Sequence, residues 1–189
     1  MSKNILDNAI GLSVSKSRFG TRRKIAKGSV TVDADAGWIH AQKDLVAKSP
    51  TLRAITSLYT DLDAYLDTMV LPGTTLFRKG VYLLPLNNVE AVDQRLTQDA
   101  TKLVRLVDQY VFGDTMQSEY EAAIADARLR LNGLFNPAQY PSPAELRGRY
   151  QIEWQFIGFS LPGQLERVSA AIFGRETERG RVRILEAAE

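Results

Sequence analysis

The stretch NNVEAVDQRLTQDATKLVRLVDQYVFGD, residues 87–114, decides the fold. Val89, Val92, Leu96, Leu103, Leu106 and Tyr110 recur at the spacing that stacks side chains on one face of an α-helix. Positions 89, 96, 103 and 110 lie seven apart and form a heptad seam. Asn87, with Glu90 three residues on, predicts a capping arrangement at the start of this helix. Gly113 predicts its end, and Asp114 is placed to cap the next helix. There Met116, Tyr120, Ala123, Ala127, Leu131 and Leu134 continue the apolar stripe. The short link Phe112-Gly113-Asp114 leaves two long amphipathic helices little choice but to fold back as antiparallel neighbours. An αα-hairpin is therefore the first expectation.

Upstream, Ser49-Pro50 predicts an N-cap followed by proline at the first helical position. Leu52, Ile55, Leu58, Leu62, Leu66 and Met69 then mark a second apolar helix face, which Leu71-Pro72-Gly73 stops. Residues 36–48 predict a preceding helix. Ile10, Leu12 and Val14 alternate with Gly11, Ser13 and Ser15, which is strand periodicity. That strand is expected to pair as a hairpin with the β-branched run Ser29–Asp33, with the Arg-rich segment 18–24 at the turn. Residues 74–86 predict a strand or hairpin turning at Arg78-Lys79-Gly80. Downstream, Ser142-Pro143-Ala144-Glu145 combines a capping box with a proline at the first helical position. Ile152, Trp154 and Phe156 then alternate with Gln151, Glu153 and Gln155 as in a half-buried strand.

These elements predict an α+β fold: a long antiparallel αα-hairpin and further helices packed on a small, mainly antiparallel sheet drawn from residues 9–33, 74–86 and 150–160. Residues 1–162 are expected to form one domain and residues 163–189 a helical extension. With 189 residues, 44% of them apolar and 24% charged, the chain can bury a core of ordinary size. The absence of eighteen consecutive apolar residues argues against a membrane span. Asp7 interrupts the apolar run near the N-terminus, so no signal peptide is read. No cysteine is present, which removes disulfides and thiolate zinc sites and suits the cytoplasm.

The net charge is +2, unevenly distributed. Residues 1–27 carry seven Lys or Arg against Asp7 alone, and the remainder carries seventeen against twenty-one acids. The stretch SKSRFGTRRKIAKG, residues 15–28, holds six cations and no acid. Lys16, Arg18, Arg22, Arg23, Lys24 and Lys27 can meet phosphates or an acidic protein face, and Phe19 is available to stack on a base.

Residues 80–96, GVYLLPLNNVEAVDQRL, and residues 119–162, with their Phe-Asn-Pro-x-x-Tyr-Pro loop and aromatic strand, carry a resemblance. Over about residues 74–162 the chain resembles an uncharacterised bacterial and phage family, some members of which are encoded near MoxR-type ATPases and von Willebrand-type proteins. The resemblance implies an assembly or adaptor role in a phage or mobile element, with a MoxR-type system as a possible partner. It supplies no active-site residues.

Reactive constellations are scarce. A Ser-His-Asp or zinc site must be built on His40, and no HExxH pattern accompanies it. Asp61, Asp63 and Asp67, and Glu119, Glu121 and Asp126, read as wet helix faces opposite the core. GTTLFRKG, residues 73–80, lacks the GxxxxGK[ST] order of a phosphate loop. The expectation is a non-enzymatic structural or adaptor protein without cofactor or metal, acting through self-association or a larger protein assembly. The basic N-terminal hairpin and the residues after 162 are expected to supply its intersubunit contacts. The alternative is an accessory nucleic-acid-binding protein using the basic hairpin.

Overall fold

The computed structural model describes residues 8–25, 41–71, 80–113 and 118–157. Five strands and four α-helices follow one another there: β1 (Ala9–Ser17), β2 (Arg22–Lys24), β3 (Gln42–Asp44), α1 (Pro50–Met69), β4 (Val81–Pro85), α2 (Val89–Phe112), α3 (Glu119–Leu131), α4 (Pro143–Gly148) and β5 (Gln151–Ile157). A three-stranded sheet in the order β4-β1-β5 and a two-stranded ribbon, β2-β3, complete an α+β fold. No described helix is long and apolar enough to cross a membrane.

The chain divides into two compact units. Unit 1 comprises residues 1–16, 59–100 and 152–189. Its centre is β1, which pairs antiparallel with β4 from Ala9 opposite Pro85 to Ser13 opposite Val81. Leu12 and Val14 are buried as their alternation predicts, and Ile152 is buried on β5 between exposed Gln151 and Glu153. Leu62 and Leu66 of α1 and Val92 and Leu96 of α2 supply the helical part of this core. Polar ties fix strands to helices: Lys16 of β1 pairs with Asp63 of α1. The indole N–H of Trp154 on β5 donates to Asp93 of α2 at 2.8 Å. Gly80, just before β4, has φ +87°, and a Cβ there would lie 2.7 Å from the Val14 carbonyl oxygen. Only glycine fits, because the Gly80 carbonyl accepts the Val14 N–H at 2.8 Å and holds the two backbones together.

Unit 2 comprises residues 17–58 and 101–151. Leu52, Ile55 and Leu58 of α1, Leu103, Val107, Tyr110 and Val111 of α2, and Tyr120, Ala123 and Ala127 of α3 are its buried apolar residues on the long helices. The Tyr110 and Tyr120 rings meet at 5.9 Å between centroids, joining the two arms of the αα-hairpin. Alanine at positions 123 and 127 keeps the buried face of α3 thin, so a neighbouring backbone can approach closely.

Helix ends follow the sequence in part. Ser49 caps α1, its hydroxyl accepting from Leu52 N–H at 3.2 Å. Ser142 and Glu145 form the full capping box of α4. Those hydrogen bonds from the Ser142 backbone and hydroxyl hold the Glu145 carboxyl below its ordinary range. At α2 the expected Asn87 cap is replaced by a 3-10 turn over Leu86–Asn88. Asn88 donates there to the Met69 carbonyl at 2.8 Å, and the Glu90 carboxylate accepts from Gln94. The first of these bonds is tertiary and the second is an i,i+4 pair within α2, and neither caps the helix. α3 begins behind Ser118, whose hydroxyl accepts from Glu121 N–H at 3.0 Å, not behind Asp114.

Two sequence expectations are overturned. Arg22–Lys24 is a strand rather than part of a turn, and Gln42–Asp44 is its partner strand rather than part of a helix. Both segments are three polar residues long, too short for any hydrophobic period to reveal them. The sheet neighbours of β1 are β4 and β5. Ser29–Asp33, His40, Met116, the Arg78-Lys79 turn and residues 163–189 lie outside the described residues.

Candidate binding surface on the basic ribbon

Regrouping the chain by unit moves its charge. Unit 2 carries fourteen Lys or Arg against nine Asp or Glu, a net of +5, whereas unit 1 carries ten against thirteen, a net of −3. The basic character of the N-terminal stretch therefore belongs to a larger positive body that includes Arg128, Arg130, Arg147 and Arg149.

The β2-β3 ribbon presents that charge. Its register sets Arg22 opposite Asp44, Arg23 opposite Lys43 and Lys24 opposite Gln42. Arg22 is exposed and pairs with Asp44 at 3.0 Å, a contact worth at most about 1 kcal/mol in water. Arg23 points to the other face, where its guanidinium donates to the carbonyls of Gly20 and Arg22 at 3.0 and 2.9 Å. Arg18 and Lys24 are exposed. Lys16 belongs to unit 1 and is engaged with Asp63. Lys27 lies outside the described residues.

Phe19 has a different environment from the open stacking platform its sequence neighbours suggest. It is 4% exposed, and the guanidinium carbons of Arg23 and Arg149 each lie 5.9 Å from its ring centroid. The ring's negative face is thus turned to arginines of its own unit, which gathers Arg149 into the basic surface. No local signal in the sequence announces Arg149 or Lys43 as members of this group.

Beside the ribbon lies a cleft of about 430 Å³, lined by Lys24, Ile25, Lys43, Gly133, Leu134, Phe135, Asn136, Pro137 and Gln139. The Lys43 ammonium crosses to the far wall and donates to the Leu134 carbonyl. Under the same unit, Tyr110, Tyr140 and Tyr150 bury hydroxyls that have no hydrogen-bond partner among the described residues, as does Glu119 Oε2. Glu119 Oε1 accepts from the Thr51 hydroxyl at 2.5 Å, and the Tyr120 hydroxyl donates to the Pro141 carbonyl at 2.9 Å. Burial pushes the Tyr120 phenol up to about 12, with Tyr140 adding to the rise. Burial also pushes the Tyr150 phenol up to about 12 against the opposing pull of Arg18. Tyr110 is raised as well, by burial first and then by Tyr150, Tyr120 and Glu119.

This contrast yields an expected result. Tyr120→Phe removes a donor from a buried carbonyl and should lower the unfolding free energy by about 1–2 kcal/mol. Tyr110→Phe removes a hydroxyl with no partner among the described residues and should leave stability unchanged or raise it by about 1 kcal/mol. Equilibrium urea unfolding of both variants measures the difference, and equal losses would contradict it.

The carboxylates singled out in the sequence do not converge. Asp61, Asp63 and Asp67 are exposed on α1, and Asp126 pairs with Arg130 along α3 at 2.6 Å. Among the described residues no three His, Asp or Glu side chains come together as a metal site would require. Comparison with known proteins finds no matching family model, no matching curated protein and no matching solved structure, so the chemistry of this surface is read from its own geometry.

Proposed function

We propose that this chain is a non-enzymatic structural or adaptor protein that works by self-association or by joining a larger protein assembly. The basic unit supplies the contact to an acidic protein face. The observation that carries this reading is the partition of charge, +5 on unit 2 and −3 on unit 1. A second copy then offers the complementary surface, with Asp61, Asp67 and Glu153 exposed on its acidic unit. Such a contact joins two different patches, so it propagates head to tail into a ring or a filament. Charge complementarity of this kind speeds encounter and sets register, and it weakens as salt screens it. A phage or mobile-element origin and a MoxR-type partner system, as the resemblance implies, belong to the same proposal.

Size-exclusion chromatography with light scattering at low and high salt tests it. The expected result is an assembly at low salt that dissociates at high salt and in the variant Arg18→Glu/Lys24→Glu. A strict monomer at high concentration and low salt overturns self-association.

A second reading, binding of nucleic acid, is favoured by exposed Arg18 and Lys24 beside a two-stranded ribbon, an element narrow enough for a major groove. Gel-shift titration at two salt concentrations decides it. Tight binding that collapses with salt and with Arg22→Ala/Arg23→Ala would displace the first reading.

A further inference from the structure

The cleft between the β2-β3 ribbon and the loop from Gly133 to Gln139 has features that a contact surface between proteins does not need. Its volume of about 430 Å³ is in the range of small-molecule sites. Its loop wall is braced from within. Asn136 Oδ1 accepts from Ala138 N–H at 3.0 Å, and the Asn132, Asn136 and Pro137 carbonyls accept from Phe135, Gln139 and Tyr140 N–H at 3.0–3.1 Å. Phe135 stacks on Tyr140 at 5.0 Å, and the Arg128 guanidinium lies 5.4 Å from its ring centroid. A wall held this way costs a ligand little ordering entropy.

The polar groups in the cleft are incompletely used. Lys43 is half-buried, and its ammonium spends one of three donors on the Leu134 carbonyl. No carboxylate among the described residues forms an ion pair with it. A partly desolvated cation with two donors left is best satisfied by an oxyanion. Gln139 also lines the cleft, and its Oε1, which has no partner among the described residues, is closed off from the open space. Ile25, Leu134 and Phe135 add apolar wall.

We propose that this cleft binds a small organic oxyanion, a carboxylate or phosphate, with the Lys43 ammonium holding the anion. The site goes beyond the assembly reading and does not depend on it, because a strictly monomeric chain can carry it.

Proton–nitrogen NMR titration of the full chain tests the site, with inorganic phosphate, acetate and lactate as separate probes. The expected result is saturable shifts confined to the amides of the cleft lining, Lys24, Ile25, Lys43 and residues 133–139, with at least one probe. Lys43→Met, which keeps the stem and removes the charge, should weaken binding at least tenfold. Gln139→Glu, which leaves Lys43 in place and sets a like charge against the ligand, should do the same, so a misfolded Lys43 variant does not leave the proposal untested. Shifts that rise linearly with all three probes, spread over Arg18, Lys48 and Arg53, and survive both substitutions would show general screening and overturn the site. So would the absence of any shift.

Discussion

Leu12→Ala is expected to lower the unfolding free energy by about 3 kcal/mol, the largest effect of any single truncation considered. Leu12 is fully buried on β1, the middle strand of the three-stranded sheet, directly opposite Tyr82 of β4. Removing its isobutyl group loses the transfer free energy of three carbons and leaves a void that a strand hydrogen-bonded on both sides cannot collapse. For a chain of this size the thermal midpoint should fall by roughly 6–12 °C. Leu129→Ala is the matched control, since Leu129 is 81% exposed on α3 and its loss should stay within about 0.5 kcal/mol. Paired urea and thermal unfolding curves check both values. Equal effects at the two sites would mean that β1 is not the centre of the core.

The second expectation concerns alkaline pH. Tyr120 and Tyr150 have phenols raised to about 12 in the folded chain, and Tyr110 is raised too, against an ordinary value of about 10. A group that holds its proton more tightly when folded contributes stability in full below its unfolded value, and that stability is lost as the pH rises through the folded value. Below about pH 10 both states keep the proton. Between about pH 10 and about 12 the unfolded chain releases protons that the folded chain retains, so unfolding gains. Urea unfolding repeated across this range should show a plateau to about pH 10 and a steep decline beyond it. In Tyr120→Phe/Tyr150→Phe the decline should be shallower. The part of the tyrosinate absorbance that this double variant lacks should rise late, together with unfolding rather than ahead of it. Stability that stays flat to about pH 12 would exclude buried, neutral phenols.

The two sets of residues behind these expectations differ in how they could be found. Leu12 was readable from a two-residue alternation, and the buried seam Leu96, Leu103 and Tyr110 from a seven-residue step. The tyrosine cluster was not readable, because Tyr110, Tyr120, Tyr140 and Tyr150 come from two helices, a loop and the approach to β5. The binding surface was legible by half. Arg18, Arg22, Arg23 and Lys24 declared themselves as a run of like charge. Lys43 and Arg149 joined them only because a ribbon pairs Arg23 with Lys43 and because Arg149 faces the Phe19 ring. Phe19 itself looked like an exposed aromatic among cations and is a buried one.

By itself the sequence determined α1 to α4, their buried faces and three of their boundaries, Ser49 before α1, Gly113 after α2 and Ser142 before α4, but it also predicted a helix over 36–48 where Gln42–Asp44 is a strand. Helical burial and capping are set by residues three and four apart, so the information is local. It also determined that β1 is a strand and β5 a half-buried one, through the same local logic with a period of two, although β1 buries Ala9 and Gly11 as well as Leu12 and Val14. Only the tertiary structure decided which strands pair, since a strand's partner is chosen by segments far along the chain and a three-residue polar strand has no pattern of its own. It alone decided how the charge divides, +5 on one unit and −3 on the other, because both units are assembled from separated stretches. The helices could be read because each one satisfies its own backbone, whereas sheets, clefts and charge surfaces exist only where distant residues meet.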